Sequence, residues 1–273
     1  MKIAIFGLGE AGRTIGSDMV EAAGKANSGI AEKLEMVAYD PAAVPTPEGI
    51  TRVDDPAIAV AGSQLVMALT GSVDATTALQ QALPHIPSSA VYADFASASA
   101  GLKRELATIA DSANLRLCDV ALMAMVPGNG IRTPAMFAGS GAIALEEILA
   151  PFGMPIDVVS DQPGDAAERK LMRSVVIKGL AGLLIEALQG AHQAGCPEWL
   201  WQNLTDEFTA MDESMLQRLV MGTETHAERR FHEMQASEQQ LQELGIEPLM
   251  TASTVRNLQQ VMKSGVPVVP EIE

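Results

Sequence analysis

Short, almost wholly apolar runs alternate with stretches of helical period through the first half of the chain. Lys2–Phe6, Glu35–Tyr39, Gln64–Leu69 and Ala90–Asp94 read as strands, and Leu115–Leu122 and Ala135–Ala138 extend the series. Between them, segments from Gly12 to the Val20 region, Ala75–Leu83, Ala100–Ser112 and from about Ala144 read as helices. Strands that are apolar on both faces, separated by helices, predict a doubly wound, mostly parallel α/β sheet covered on both sides.

Near Pro163 the strands stop. Asp165–Ala194 is one long helical stretch with few breakers, followed by helical segments at roughly Trp199–Val220, Glu224–Leu244 and Leu249–Met262. The predicted division is a sheet domain over 1–162 and an all-α C-terminal domain over 163–273. Positions 171–188 of the long helix are apolar almost all round, which predicts a buried central helix. Yet Lys170, Arg173, Ser174 and Lys178 fall within one arc of it. A solvated stripe is the plain reading of such an arc, whereas buried cations need a partner or a function.

Composition narrows the function. With 273 residues, 48% apolar and 19% charged, the chain has material for two packed domains and is not disordered. A formal charge of −16 argues against nucleic acid and anionic membranes as partners. A small-molecule anionic substrate therefore needs a local positive pocket, which the Lys170–Arg173 arc offers. Cys118 and Cys196 make no disulfide framework and no thiolate metal cluster. No metal site is expected, since His226 and His232 are poorly spaced and have Arg229 and Arg230 between them. The start MKIAIFGLG is too short for a signal peptide, and Arg173, Lys178 and Glu186 interrupt the most apolar helix, so a cytoplasmic protein is expected. No G-x-S-x-G elbow supports nucleophilic hydrolysis. Trp199 and Trp201 read as packing anchors.

Directly after the first strand stands Gly7-Leu8-Gly9-Glu10-Ala11-Gly12, opening a helix. In that context the string is a dinucleotide fingerprint of a Rossmann domain. Gly7 makes the tight turn, Gly9 admits a pyrophosphate, Gly12 lets helix and strand close up, and the helix N-terminus supplies N–H donors. Asp40 ends the second strand, where a carboxylate accepts from ribose hydroxyls and repels a 2′-phosphate, so NAD is favoured and NADP is the alternative. An Asp-Pro turn is the other reading of Asp40. The long spacing before it, AGKANSGIAEK, reads as an extended helix or an inserted turn. Thr70, after the Gln64–Leu69 strand, completes the expected cofactor set. A lysine desolvated beside an arginine loses some preference for its charged form and suits acid/base work, while Arg173 can fork a carboxylate.

Taken together, IFGLGEAG, ADFASASA, DVALMAMVPGNGIRTPAMFAGSG, KLMRSVVIKGLAGLLIEAL and HAERRFHEMQ…LGIEPLM resemble the β-hydroxyacid dehydrogenase superfamily over nearly the whole chain. That superfamily includes 3-hydroxyisobutyrate and 6-phosphogluconate dehydrogenases and the imine reductases. The similarity is greatest to a 6-phosphogluconate-dehydrogenase-like branch with its own C-terminal helical domain. The resemblance implies that Lys170 is the catalytic lysine opening the interdomain helix. It also implies that Ser97, in the turn Asp94-Phe95-Ala96-Ser97, lies beside nicotinamide and substrate, and that Asp119–Met125 is the substrate segment. Two departures stand out: Met123, Ala124 and Met125 replace a serine and two glycines, and Arg173, followed by Ser174, replaces an asparagine. A methionine-lined wall with an arginine fork suggests a carboxylate bearing an apolar or aromatic group; a phosphorylated sugar acid meeting Arg173 and Lys178 is the alternative. The expected activity is NAD(P)-dependent oxidation of a β-hydroxycarboxylate, with NADPH-dependent imine or keto reduction, or dinucleotide binding without turnover, as alternatives. The resemblance further implies a homodimer through the helical domain, in which HAERRFHEM could line the second copy's active site. On its own charge pattern that segment reads as a solvated face.

Overall fold

The computed structural model describes residues 1–25 and 34–270. It comprises two compact units, Met1–Arg173 and Ser174–Glu273. Most of the AGKANSGIAEK stretch lies outside the described residues.

The first unit is built on one eight-stranded sheet. Its strands are β1 (Lys2–Phe6), β2 (Glu35–Tyr39), β3 (Ile50–Val53), β4 (Leu65–Ala68), β5 (Val91–Asp94), β6 (Arg116–Leu122), β7 (Ala135–Ala138) and β8 (Ile156–Ser160), in the order β3-β2-β1-β4-β5-β6-β7-β8. Every neighbouring pair is parallel except β6–β7. Helices α1 (Glu10–Gly24), α2 (Pro56–Val60), α3 (Ala75–Ala82), α4 (Ala100–Ser112) and α5 (Ala142–Leu149) connect the strands. Alternate residues of β1 divide the core: Ile3 and Ile5 pack with α1 and α5 through Ile15, Met19 and Leu145. Ala4 and Phe6 pack with α2, α3 and α4 through Val60, Leu79 and Leu106. The sheet is thus buried on both faces, which is why its inner strands are continuous apolar runs. Because β1 lies between β2 and β4, the strand order reverses there, and the crevice beyond their carboxyl ends is where such a sheet binds ligands.

Among the described strands and α-helices, β3, β8 and α2 have no counterpart in the sequence reading. β3 and β8 are the two edge strands, and only Ile50 among their residues is buried. An edge strand pairs on one side only, so ITRV and IDVVS lack the apolar run of the inner strands. Helix α2 is five residues long, too short to show a period.

The second unit is all-helical. Helix α6 (Asp165–Ala194) is unbroken, beginning in the first unit and ending in the second, and is followed by α7 (Pro197–Thr209), α8 (Glu213–Thr225), α9 (Ala227–Glu243) and α10 (Leu249–Ser264). The single helix expected at Trp199–Val220 is two, α7 and α8. Asp212 breaks it by adopting extended backbone and accepting from the Met215 amide at 2.8 Å, an N-cap within an otherwise helical pattern. Glu186 of α6 caps α10, accepting from the amides of Met250 (2.7 Å) and Thr251 (2.9 Å) and from the Thr251 hydroxyl (2.6 Å).

The expectation of a buried central helix does not hold for the chain by itself. Val175 is 68% exposed, Val176 65% and Ile185 59%. The tryptophans expected as packing anchors are exposed too, Trp199 at 66%. An apolar helix surface predicts burial against something, and this chain alone does not cover it. Among the described residues, no helix is long and apolar enough to cross a membrane.

Candidate active site

The loop after β1 closes only with glycine. Gly7 has φ +95°, and a side chain there would place its Cβ 2.6 Å from the Leu69 carbonyl oxygen. A Cβ on Gly12 would overlap the Gly7 carbonyl, so α1 can start this close to β1 only without one. At Gly9, the N-cap residue of α1, a Cβ would meet nothing within 4 Å, and no side chain caps the helix. The first-turn amides of Glu10, Ala11 and Gly12 lie before the first helical bond, from Arg13 N–H to the Gly9 carbonyl (3.1 Å). A helix start with free amides of this kind can hold an anion, and the space beside Gly9 is open.

Asp40 is fixed from two sides. Its Oδ2 accepts from the Leu8 amide at 2.6 Å and its Oδ1 from the Ala42 amide at 2.8 Å. Its second acceptor sites remain beside a cavity of about 320 Å³, lined among others by Gly7, Gly9, Asp40, Thr70, Asp74 and Gln81. Thr70 Oγ1 is buried at this wall with no hydrogen-bond partner among the described residues. A buried hydroxyl of this kind can bond a polar group placed in the cavity. Arg52, the first basic residue after Asp40, spends its guanidinium on the carbonyls of Asp40 (3.0 Å), Ala42 (2.8 Å) and Val44 (3.0 Å). The residues of this cavity therefore fit an adenine dinucleotide: a helix start for the diphosphate, a carboxylate for the ribose and a buried hydroxyl.

Farther along the same strand ends, Lys170 Nζ donates to Ser97 Oγ at 2.8 Å. Ser97 follows β5 by three residues, and Lys170 lies in the second turn of α6. The two residues assigned to the reacting centre from widely separated motifs thus meet. Beneath them is a buried ionic cluster that the sequence reading missed. Lys103 of α4, with no accessible surface, donates to Asp94 Oδ2 (2.7 Å) and to the Asp94 carbonyl (2.9 Å), and lies 3.0 Å from Asp119 Oδ1. Asp94 and Asp119 are register partners on β5 and β6 and are themselves buried. Burial holds the Asp94 carboxyl above the usual range, against the pull of the Lys103 ammonium. Burial also pushes the neighbouring Cys118 thiol up, with Asp119 adding to the effect. A signal for Lys103 existed: it shares the inward face of α4 with Leu106, Ala107 and Ala110.

Arg173 is held by a different partner. Its guanidinium donates to the Met123 carbonyl at 2.9 Å, beside a mainly apolar cavity of about 410 Å³ lined by Met123, Pro134, Met136, Ile156, Asp157 and Arg173. Ser174 and Lys178 belong to the second unit, half-buried and exposed respectively. His232 Nδ1 is 3.2 Å from Gln235 Oε1, and Arg230 bonds the Leu219 carbonyl and the Thr223 hydroxyl, so HAERRFHEM has internal contacts within its own unit. Among the described residues, no group of His, Cys, Asp or Glu could hold a metal ion.

A doubly wound sheet with this glycine loop, followed by a five-helix unit, is the fold shared by NAD(P)-dependent reductases and dehydrogenases. Comparison with known proteins makes the likeness particular. Residues 191–261 match the family model described as a domain of unknown function, DUF1932. A curated relative from Methanothermus fervidus, "Uncharacterized 28.5 kDa protein in 7S RNA 5'region", is 29% identical over 108 residues; the match covers 40% of this chain and 43% of that protein, less than half of its length. The conserved protein of unknown function MTH1747, described as structurally similar to 3-hydroxyacid dehydrogenases, matches with a TM-score of 0.59 and 24% identity over 96% of this chain and 97% of its own. An imine reductase variant from Myxococcus stipitatus in complex with NAD+ gives 0.78 and 14% over 97% and 94%. A reductive aminase from Aspergillus terreus with NADPH and ethyl levulinate gives 0.77 and 16% over 97% and 94%.

Proposed function

We propose that the protein is an NAD-dependent oxidoreductase that oxidises a β-hydroxycarboxylate, or reduces the matching keto acid, with Lys170 as acid/base. The observation that carries this reading is the 2.8 Å contact between Lys170 Nζ and Ser97 Oγ at the carboxyl end of the sheet. When bound, the dinucleotide supplies hydride transfer. The chain supplies the rest. The α1 start, Asp40 and Thr70 hold and orient the cofactor. Ser97 and Lys170 are close enough to share one substrate oxygen, Ser97 through its hydroxyl and Lys170 by taking or returning that oxygen's proton. Arg173 keeps donors beyond the one given to Met123, enough to meet a carboxylate beside the apolar Met123–Met136 cavity. Asp40, and an Arg52 already engaged with carbonyls, favour NAD over NADP.

Lys170→Ala is expected to lower turnover of the responsive hydroxy acid by roughly 10²–10⁴-fold while leaving NADH binding, read by fluorescence, unchanged. Wild-type turnover in that variant would overturn the assignment. The apolar Met123–Met125 segment and the likeness to imine reductases favour a second reading, reduction of an imine or ketone. Rates with NADH and NADPH, before and after Asp40→Ala, separate the two cofactor preferences, with Asp40→Ala expected to weaken discrimination against NADPH. We also infer that the exposed apolar face of α6 is covered by a second copy of this chain.

A further inference from the structure

Lys103 is buried between Asp94 and Asp119 and is not among the residues that line the dinucleotide cavity. Its two carboxylate partners each reach onward to one half of the proposed reacting pair. Asp94 Oδ1 accepts from the Ala96 amide at 3.3 Å, inside the turn that presents Ser97. Asp119 Oδ2 accepts from the Ala167 amide at 2.9 Å, in the first turn of α6, one turn before Lys170. The two arms part at Lys103 Nζ and meet again where Lys170 donates to Ser97. Without the ammonium, Asp94 and Asp119 would face each other across β5 and β6 as two buried like charges. Well-packed apolar residues in place of a buried ion pair are often as stable or more so, so stability alone accounts poorly for a buried cluster of this kind.

We propose that Lys103 is a positioning residue: by clamping Asp94 and Asp119 it sets the separation between the Ser97 hydroxyl and the Lys170 amine. The proposal rests on the reading of Lys170 and Ser97 given above. It predicts that the clamp governs the reacting pair and leaves the glycine loop alone, because the loop stands on β1 and β4.

The test uses the full-length protein and two variants. Lys103→Met leaves two buried carboxylates and is expected to lower the melting temperature. Lys103→Met/Asp119→Asn removes one of those charges, and the carboxamide oxygen introduced on β6 can still accept from the Ala167 amide, so stability should largely return. If positioning is the role, the double variant binds NADH as the wild type does and keeps KM within a few-fold, but its kcat stays about 100-fold down, the scale on which a misplacement of 1 Å is felt. A second readout does not depend on turnover: the rate at which a small amine-acylating reagent modifies Lys170, followed by mass spectrometry with exposed Lys178 as the control. That rate should rise severalfold in the double variant as the bond to Ser97 loosens, with Lys178 unchanged. Wild-type kcat together with a wild-type Lys170 labelling rate in the stable double variant would overturn the proposal. Should the wild type turn over no hydroxy acid while labelling still changes, the positioning role stands and the dehydrogenase reading falls.

Discussion

Tyr92 shows how the site's surroundings constrain a single side chain. Its ring is fully buried among Phe6, Leu106 and Leu117, and its hydroxyl has no partner among the described residues. Burial, with Asp94 adding to it, pushes the phenol well above its ordinary value, so the group stays neutral across the working range. An unsatisfied buried hydroxyl costs stability, whereas the ring's packing contributes it. Tyr92→Phe keeps the ring and removes the stranded oxygen, and is expected to stabilise by about 1 kcal/mol. Thermal unfolding would register this as a rise of roughly 2–4 °C. A loss of stability would mean that the hydroxyl is bonded after all. Lys103 is the opposite case, a buried ammonium that donates twice to Asp94 and pairs with the Asp119 carboxylate, so its removal strands charged partners where the removal of the Tyr92 hydroxyl strands none.

At the scale of elements, the capping of α10 makes a prediction with a definite sign. Burial works to raise the Glu186 carboxyl, but the bonds from the Thr251 hydroxyl and from the Met250 and Thr251 amides outweigh it, leaving the group below its ordinary value of 4.5. The charged form is therefore the one the fold prefers. Glu186 contributes stability above the unfolded-state value, and that contribution is lost as pH falls through the lower folded-state value. Glu186→Gln should cost about 1 kcal/mol at neutral pH. The gap from wild type should narrow between about pH 5 and 3, as measured by denaturant midpoints. A gap independent of pH would show that the charge is not what holds the cap. Elements also show what the chain makes legible. The inner strands are plain in the sequence because each is buried on both faces and needs an apolar run, and α6 is plain because thirty residues pass without a breaker. Edge strands β3 and β8 are not, since one-sided pairing asks little of their side chains. The glycine loop can be located from spacing, whereas Lys170 stands out through the family resemblance and its place in a cationic arc. Lys103 could not be assigned a role, because its partners lie on β5 and β6 and only the sheet register brings them together.

At the scale of the molecule, charge and exposed apolar surface pull in opposite directions. A formal charge of −16 keeps copies apart at long range, and added salt screens that repulsion. On α6, Val175, Val176, Ile177 and Ile185 are each at least half exposed on a helix that is apolar almost all round. Large apolar patches are rare on proteins that act as monomers and mark interaction surfaces. A second copy offers an apolar surface of its own. The second unit carries a mainly apolar groove of about 650 Å³ lined by residues such as Leu183, Trp199, Leu200 and Met234. Two copies that bury α6 against such grooves would remove the apolar face of each from water at about 25 cal/mol per Å². Association is therefore expected to be a closed dimer that tightens with salt, since screening weakens the repulsion and leaves the apolar term intact. Sedimentation at low and moderate salt checks both halves of that statement. Val176→Asp sets a charge in the middle of the patch and should shift the population to monomer while circular dichroism stays unchanged. A wild-type chain that sediments as a monomer at micromolar concentration in moderate salt would leave the exposed face of α6 to a different occupant.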